Sequence, residues 1–187
     1  MSTVLRALVV YESMFGNTER LAECVAEGLR LEGAEVEVTE VGGAPSTVSD
    51  VDLLVVGAPT HALSLSRPST RADAVQKGAP ESRQRLGLRE WLGAGVSESP
   101  GLSIAVFDTR IDKVRRLPTA AGPRAAKIAR RRGFSLLTKP AAFVVEDIKG
   151  PLSNHEVERA IGWGQLVGGM ARPRLAAETE RAGVRNS

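Results

Sequence analysis

The sequence lacks the features of secreted, metal-clustered and membrane-spanning proteins. A single cysteine, Cys24, cannot close an internal disulfide or form a cysteine metal cluster, and it is consistent with a reducing cytoplasm. No apolar run approaches the roughly 18 residues that a membrane helix needs, and no long apolar core follows a basic N-terminus. These absences predict a cytoplasmic protein with no membrane span, no signal peptide and no bound metal.

Aromatic residues are also scarce, at 4% of the chain, and this bears on the basic clusters. Arginines gather at Arg110, at Arg115 and Arg116, in residues 124–132 and in residues 172–185, although the net charge is only +3. Nucleic-acid surfaces usually interleave aromatic stacking platforms with such cations, and these clusters contain none. We therefore expect solvated helix faces and no nucleic-acid partner. Such basic clusters favour an acidic partner.

The length and composition predict one folded domain followed by a tail. The 187 residues, of which 42% are hydrophobic, suffice for a single core. Residues 1–171 are expected to form the domain. Residues 172–187 are charged and rich in small residues, so a disordered C-terminal tail is expected there.

The most informative stretch joins a buried-strand pattern directly to a loop suited to phosphate. Residues 4–11 are mostly apolar and rich in branched side chains, as in a strand covered on both faces. Ser13, Asn17 and Thr18 then supply hydroxyl and amide groups, Gly16 permits close approach of a ligand, and a helix begins at about residue 17. A helix N-terminus can hold a phosphate without Lys or Arg, and this loop contains neither. The alternative is a plain strand-to-helix turn capped by Asn17 or Thr18.

This loop resembles the first loop of the flavodoxin family, a Ser/Thr-x-Thr-Gly-x-Thr segment that wraps the phosphate of FMN. The resemblance implies that Ser13, Gly16, Asn17 and Thr18 contact the phosphate, helped by the backbone amides of two neighbours. Those neighbours are Met14 and Phe15. Phe15 stands where the family usually has a threonine, so one hydroxyl donor is missing and weaker binding is expected.

The rest of the chain alternates strand and helix patterns. Strands are predicted at residues 4–11, 35–41, 51–58, 102–107 and 134–148, the last with a break at Lys139 and Pro140. Helices are predicted at residues 17–31, 70–77, 86–92 and 120–132, with a closing helix capped by Ser153 or Asn154. Parallel connections need right-handed crossovers. The fold expected is therefore α/β, a three-layer doubly wound five-stranded parallel sheet, flavodoxin-like, with strand order 2-1-3-4-5.

That topology places a ligand crevice at the carboxyl ends of the first and third strands. By the family resemblance, the loops after the third and fourth strands clasp the isoalloxazine ring of FMN. The matching positions are Pro59, Thr60, His61, Ala62 and Leu63 in the first loop and Asp108, Thr109, Arg110 and Ile111 in the second. Residues 61–87 form a longer connection than a crossover needs, and we expect a partly mobile surface segment, either a lid or a subunit contact.

The two ring loops depart from the family in lacking aromatic residues. Electron-transfer flavodoxins generally press a Trp and a Tyr on the ring, whereas residues 59–71 and 108–118 contain no aromatic residue. Weaker FMN binding and a less negative low-potential couple are therefore expected. His61 is a candidate donor near flavin N1 or O2, or else a solvent-facing side chain. Arg110 is a candidate for that role or for binding an anionic substrate or a nicotinamide phosphate, or else a surface charge.

Three functions agree with these patterns. The first is an FMN-binding protein that takes part in electron transfer with a redox partner protein or a small-molecule acceptor. The second is an FMN-dependent oxidoreductase that uses a nicotinamide donor to reduce a quinone-type acceptor. The third is a module of the same fold that has lost FMN and binds a protein partner. Fold alone does not choose among them.

Overall fold

The computed structural model of the chain describes residues 4–94, 101–114 and 119–185. The strands are β1 (Arg6–Tyr11), β2 (Glu35–Glu40), β3 (Leu53–Pro59), β4 (Ser103–Ile111), β5 (Ser135–Leu136) and β6 (Ala141–Val145). The helices are α1 (Asn17–Leu31), α2 (Pro68–Gln76), α3 (Leu88–Gly93), α4 (Ala121–Arg131) and α5 (Asn154–Arg185). Short 3-10 turns occur at Val41–Gly43, Glu81–Gln84 and Asp112–Val114.

The strands form a parallel sheet in the order β2-β1-β3-β4-β5, and β6 also pairs with β4. β5 pairs with the start of β4 and β6 with its end, so the two are pieces of one fifth strand. The interruption includes Lys139 and Pro140, as the sequence predicts, because proline cannot donate to the ladder. The predicted fold and the 2-1-3-4-5 order are confirmed.

Each face of the sheet carries its own apolar core, which completes the three layers. Side chains of α3 and α4 pack on one face with Trp91, which is 4% exposed and donates from Nε1 to the Pro45 carbonyl at 2.9 Å. Side chains of α1 and α5 pack on the other face, where Trp163 meets the rings of Phe107 and Phe143 edge-on. Both tryptophans therefore serve packing.

The fourth strand is longer than its sequence pattern suggests. The prediction ends it at residue 107, whereas β4 continues through Ile111. Ala58 and Pro59 of β3 pair with Asp108 and Thr109 on one side, and β6 pairs with the same segment on the other. Asp108, Thr109 and Arg110 therefore lie in a strand and not in the predicted loop, because neighbours on both sides extend the ladder beyond the apolar run.

Residues 61–87, expected to be a partly mobile surface segment, fold onto the domain. The segment holds α2, and within α2 the Arg71 side chain is 1% exposed. Its guanidinium donates to Ser66 Oγ, the Gln84 carbonyl and Glu90 Oε2 at 2.9, 3.0 and 3.2 Å. A buried charge is retained only where its donors are satisfied, so Arg71 joins both ends of the segment to α3.

The C-terminal helix is longer than predicted. Its start is capped as expected, because Glu156 N donates to Ser153 Oγ at 3.3 Å. α5 then runs to Arg185, whereas the composition predicts a disordered tail from residue 172. The division of the chain into a domain and a tail stays a prediction. In the described ranges, no helix is both long and apolar enough to cross a membrane.

Candidate functional site

A cavity of about 300 Å³ opens at the carboxyl ends of β1, β3 and β4. This is the edge where the strand order reverses, and its volume lies within the range of small-molecule sites. It is lined by Ser13, Met14, Phe15, Asn17, Thr18, Pro59, Thr60, His61, Ala62, Thr70, Asp73, Ala74, Lys77, Thr109, Ile111, Val145 and Ile148. The structure therefore brings three separate stretches of predicted site residues to one place.

The loop between β1 and α1 has the geometry of an anion site. Gly16 adopts a left-handed φ of 92° and donates its amide to Ser13 Oγ at 3.1 Å. It is also the N-cap of α1, yet it supplies no side-chain cap for the first turn of amides. Thr18 is 1% exposed, and its hydroxyl meets that of Thr109 at 3.0 Å, which fixes the loop to β4. An anion at this helix start would meet open donors and the positive end of the dipole.

Phe15, the residue that departs from the family pattern, has a packing role. Met14, Ala74 and Ala79 form a small apolar cluster, and Phe15 and Val75 pack against it. The phosphate-type loop is thereby held against α2. Lys149 Nζ lies 5.9 Å from the centre of the Phe15 ring. A hydroxyl donor has been exchanged for an apolar contact that positions one wall of the cavity.

A second contact between the loop and residues 61–87 is made by Arg83. Its guanidinium donates to the Ser13 carbonyl at 2.6 Å and to Glu19 Oε2 at 2.7 Å. Tyr11 donates its hydroxyl to the other Glu19 oxygen at 3.0 Å. The hydrogen bond from Arg83 lowers the pKa of Glu19, while burial and Glu19 together raise the pKa of Tyr11 to about 12. Arg83 thus fixes the position of the loop and neutralises the negative charge of Glu19 in the first turn of α1.

We expect Arg83→Met to weaken FMN binding about tenfold, because the loop loses a charge-assisted hydrogen bond and Glu19 loses its counter-charge. The affinity for riboflavin, which has no phosphate, should fall less than the affinity for FMN. Arg85→Met is the matched control, since Arg85 is exposed on the same segment. Isothermal titration of both flavins measures the difference, and equal losses for the two flavins would contradict this role.

Glu12 belongs to a buried polar network behind the loop that the sequence did not reveal. It is 1% exposed, and Oε2 accepts the Leu88 amide at 2.8 Å, while Oε1 is buried without a hydrogen-bond partner among the described residues. Burial raises the pKa of Glu12, so this carboxyl tends to keep its proton. A glutamate beside a phosphate loop is expected to repel the ligand. Its raised pKa disfavours the charged form and reduces that repulsion.

The β3 loop enters the cavity as a tight hairpin. The His61 amide donates to the Ser64 carbonyl at 2.8 Å, and the Ser64 amide returns a bond to the His61 carbonyl at 3.0 Å. Ala62 and Leu63 at its tip have φ values of 45° and 63°, which residues with side chains seldom adopt. His61 lines the cavity, and burial with the nearby charges of Arg71 and Lys77 lowers its pKa to about 4. His61 is therefore neutral at pH 7.

The lowered pKa makes the protein sensitive to acid at this residue. The unfolded chain takes up the histidine proton below about pH 6.5, whereas the folded chain resists until about pH 4, so stability falls as pH falls between these values. The free energy of unfolding of the wild type falls between about pH 7 and pH 4, and we expect His61→Gln to make this decrease smaller by about 2 kcal/mol. Urea unfolding of both proteins between about pH 4 and pH 7 measures it. A constant stability difference across that window would contradict the burial of His61.

Four predicted site residues do not line the cavity: Gly16, Leu63, Asp108 and Arg110. Gly16 shapes the loop, and Leu63 is 40% exposed at the hairpin tip. Asp108 is fully buried and accepts the Gly122 amide at 2.9 Å, so it caps the start of α4. Arg110 donates to both oxygens of Asp108 at 2.6 and 3.0 Å. Direct contacts of these four with a ligand stay predictions.

One wall of the cavity is formed by α2, and the sequence did not predict it. Thr70, Asp73, Ala74 and Lys77 line it at spacings of three and four residues, which place them on one helix face. That spacing was visible, but nothing in the sequence shows that this short helix folds back over the loop. Val145 and Ile148 add apolar wall from the end of β6 and the turn after it. Within the described ranges, no group of three His, Cys, Asp or Glu side chains could hold a metal ion.

Comparisons with known proteins agree with this geometry. Residues 9–110 match the family model described as flavodoxin. A curated flavodoxin from Aquifex aeolicus (strain VF5) is 48% identical over 60 residues, which cover 30% of this chain and 31% of that protein. The match thus spans about a third of that relative's length.

Solved structures give the same fold. An archaeal flavodoxin has a TM-score of 0.63 and 16% identity, covering 89% of this chain and 99% of its own. Oxidised flavodoxin 1 from Bacillus cereus has a TM-score of 0.61 and 17% identity, covering 87% and 96%. With its family match, its sheet order and a phosphate-type loop opening into the crevice, the chain belongs to the flavodoxin family, whose members are FMN-binding flavoproteins.

Proposed function

We propose that the protein holds FMN in this cavity and takes part in electron transfer with a redox partner protein or a small-molecule acceptor. The observation that carries the proposal is the convergence of the Ser13 to Thr18 loop, the β3 hairpin and the end of β4 on one cavity at the switch point of the sheet. FMN supplies the redox chemistry when bound, and the protein sets its binding, orientation and access to solvent.

The chain's own residues divide the work of holding the cofactor. Ser13, Asn17 and Thr18, with the open amides at the start of α1, would bind the phosphate. Pro59, Thr60, His61, Ala62 and Thr109 would flank the ring. Ile111, Val145 and Ile148 provide apolar wall that excludes water from it.

We expect a less negative low-potential couple than in electron-transfer flavodoxins. Among the described lining residues, Phe15 is the only aromatic one, and it packs toward α2 instead of coming from a ring loop. Electron-rich rings over the flavin disfavour its anionic reduced form, so their absence favours reduction. A spectroelectrochemical titration of the FMN-loaded protein measures both couples. A low-potential couple as negative as in those flavodoxins would contradict the expectation.

The same preparation separates electron transfer from quinone reduction. We expect the reduced protein to pass electrons to a one-electron acceptor such as ferricyanide. Steady turnover of a nicotinamide donor with a quinone would instead identify an oxidoreductase, and a chain that binds no flavin would be the module that has lost FMN. A cytoplasmic location, indicated by the single cysteine, and a domain formed by residues 1–171 are parts of the proposal.

A further inference from the structure

Positive charge is concentrated in one segment of the chain. From Lys113 to Val145 the sequence holds nine of its 25 Lys and Arg residues and none of its 22 Asp and Glu residues. The rest of the chain holds 16 cations against 22 acids, so it is acidic. A net charge of +3 therefore hides a strong asymmetry, and such asymmetry steers association with charged partners.

The centre of this segment is α4, whose two faces differ completely. Ala121, Ala125 and Ala129 are buried against the sheet. The exposed side carries Arg124, Lys127, Arg130 and Arg131. The small alanine side chains let the helix lie close to the sheet. Its solvent-exposed face carries the four cations.

Two further arginines extend this charge toward the β3 hairpin. Arg89 donates to the Leu65 carbonyl at 2.7 Å, the Ser66 carbonyl at 2.9 Å and Ser64 Oγ at 3.1 Å. Arg67 directly follows Ser66, whose carbonyl accepts from Arg89, and α3, which bears Arg89, packs with α4, which bears Arg124, in one apolar cluster. Partial burial, with repulsion from Arg124 and Arg67, also lowers the pKa of Arg89. Within the described residues, no ion pair joins Arg67, Arg124 or Lys127 to an acid, and Glu90 is engaged by Arg71 at 3.2 Å.

This cationic surface, made of Arg67, Arg89, Arg124 and Lys127, borders the cavity. Thr60 lines the cavity, and its hydroxyl oxygen accepts the Ala121 amide at the start of α4 at 3.1 Å. Arg89 accordingly binds residues 64–66, the first of which closes the hairpin that bears His61 and Ala62. A molecule resting on the cationic surface would therefore lie next to the mouth of the cavity.

We propose that the cationic surface docks an acidic redox protein, which exchanges electrons with FMN held in the cavity. The inference rests on the proposed function and names the partner's chemistry. Each encounter moves one electron, so one side is oxidised and the other reduced by one electron, with no group transferred. An acidic protein fits better than nucleic acid, because the surface has no aromatic side chain for base stacking and adjoins a cofactor cavity.

The first test measures charge recognition without flavin. A fluorescein-labelled decaglutamate peptide is titrated with flavin-free protein at low salt and followed by anisotropy. We expect the double variant Arg124→Gln/Lys127→Gln to weaken binding about tenfold. The control, Arg20→Gln/Arg30→Gln, removes two exposed cations from α1 on the opposite face of the sheet and should bind as the wild type does. Equal weakening in both variants, or none in either, would overturn the proposal.

The second test links the surface to electron exit. Reduced, FMN-loaded protein is mixed with ferricyanide, an anion, or with hexaammineruthenium(III), a cation. We expect oxidation by ferricyanide to slow with rising salt and to slow about tenfold in the double variant, while the ruthenium rate does not fall. Unchanged ferricyanide rates would overturn the proposal.

Two further outcomes distinguish failure of the docking surface from failure of FMN binding. Normal FMN binding with unaltered peptide binding in the double variant would overturn the docking surface alone. Failure of the wild type to bind FMN would overturn the proposed function and the redox partner with it. A DNA duplex that binds the cationic surface at physiological salt, where the peptide does not, would replace the acidic protein with nucleic acid.

Discussion

Asn17→Asp should weaken FMN binding about 100-fold while leaving riboflavin binding nearly unchanged. The substitution places a carboxylate at the first residue of α1, in the cavity-lining loop that is proposed to bind the phosphate. Repulsion between it and a phosphate dianion in a partly buried site is expected to cost about 3 kcal/mol. The fold should tolerate the change, because an acid at a helix start is favourable and the amide's bond to the Ile148 carbonyl is long, at 3.3 Å.

The chain offers a matched control for this variant. Asn154 is the first residue of α5, is exposed, and lies outside the cavity lining. Asn154→Asp therefore makes the same chemical change at the same helical position and should leave both flavin affinities as they are. Calorimetric titration of the two variants with both flavins gives the comparison. Equal FMN affinity in Asn17→Asp and Asn154→Asp would show that the loop does not bind the phosphate.

Gly164→Ala should lower the free energy of unfolding by about 2–4 kcal/mol. α1 and α5 approach so closely that a Cβ at Gly164 would clash with the Val25 carbonyl oxygen. It would also lie 3.0 Å from the Val25 carbonyl carbon and 3.1 Å from Gly28 Cα. These neighbours are backbone atoms, so the two helices must separate, and the apolar core between them and the sheet must loosen.

Gly162 provides the control for this substitution on the same helix. It is exposed, and a Cβ there would meet nothing within 4 Å. Gly162→Ala should therefore stabilise the protein by about 0.5–1 kcal/mol, because alanine loses less backbone entropy than glycine in a helix. Urea unfolding of both variants measures the contrast. Similar stability for Gly164→Ala and Gly162→Ala would contradict the close packing of α1 on α5.

The fold was predictable because its main signals are local. The runs that became β1 and β3 are continuous and branched, as buried parallel strands require. Gly16 and Asn17 marked the start of α1, and Lys139 and Pro140 marked the break in the last strand. The conformational preferences of these residues are local, so the sequence alone is enough to predict where these elements start and stop.

The rest depended on contacts between distant segments. The long end of β4 exists because β3 and β6 extend on either side of it, and no property of Asp108 or Thr109 alone shows this. Arg71 looks like a surface cation in the sequence, yet it is fully buried by partners up to 19 residues away. The same applies to Arg83, whose bonds to Ser13 and Glu19 span about a third of the chain.

Phe15 has a packing role that its departure from the motif does not show. From the sequence it is a lost hydroxyl and a sign of weak phosphate binding. In the structure it packs against the cluster that joins the loop to α2, so the loop gains rigidity where it loses a donor. A preorganised loop loses less entropy on binding, which offsets part of the missing hydrogen bond.

The most direct test of the central claim is a fluorescence titration of the flavin-free wild-type protein with FMN and, separately, with riboflavin. Binding that quenches flavin emission at one equivalent of FMN, with much weaker quenching by riboflavin, is the result expected if the Ser13 to Thr18 loop holds the phosphate. Quenching by neither flavin would contradict the claim. The loop would then be a plain turn, and the function would have to be sought in protein partners of the cationic surface.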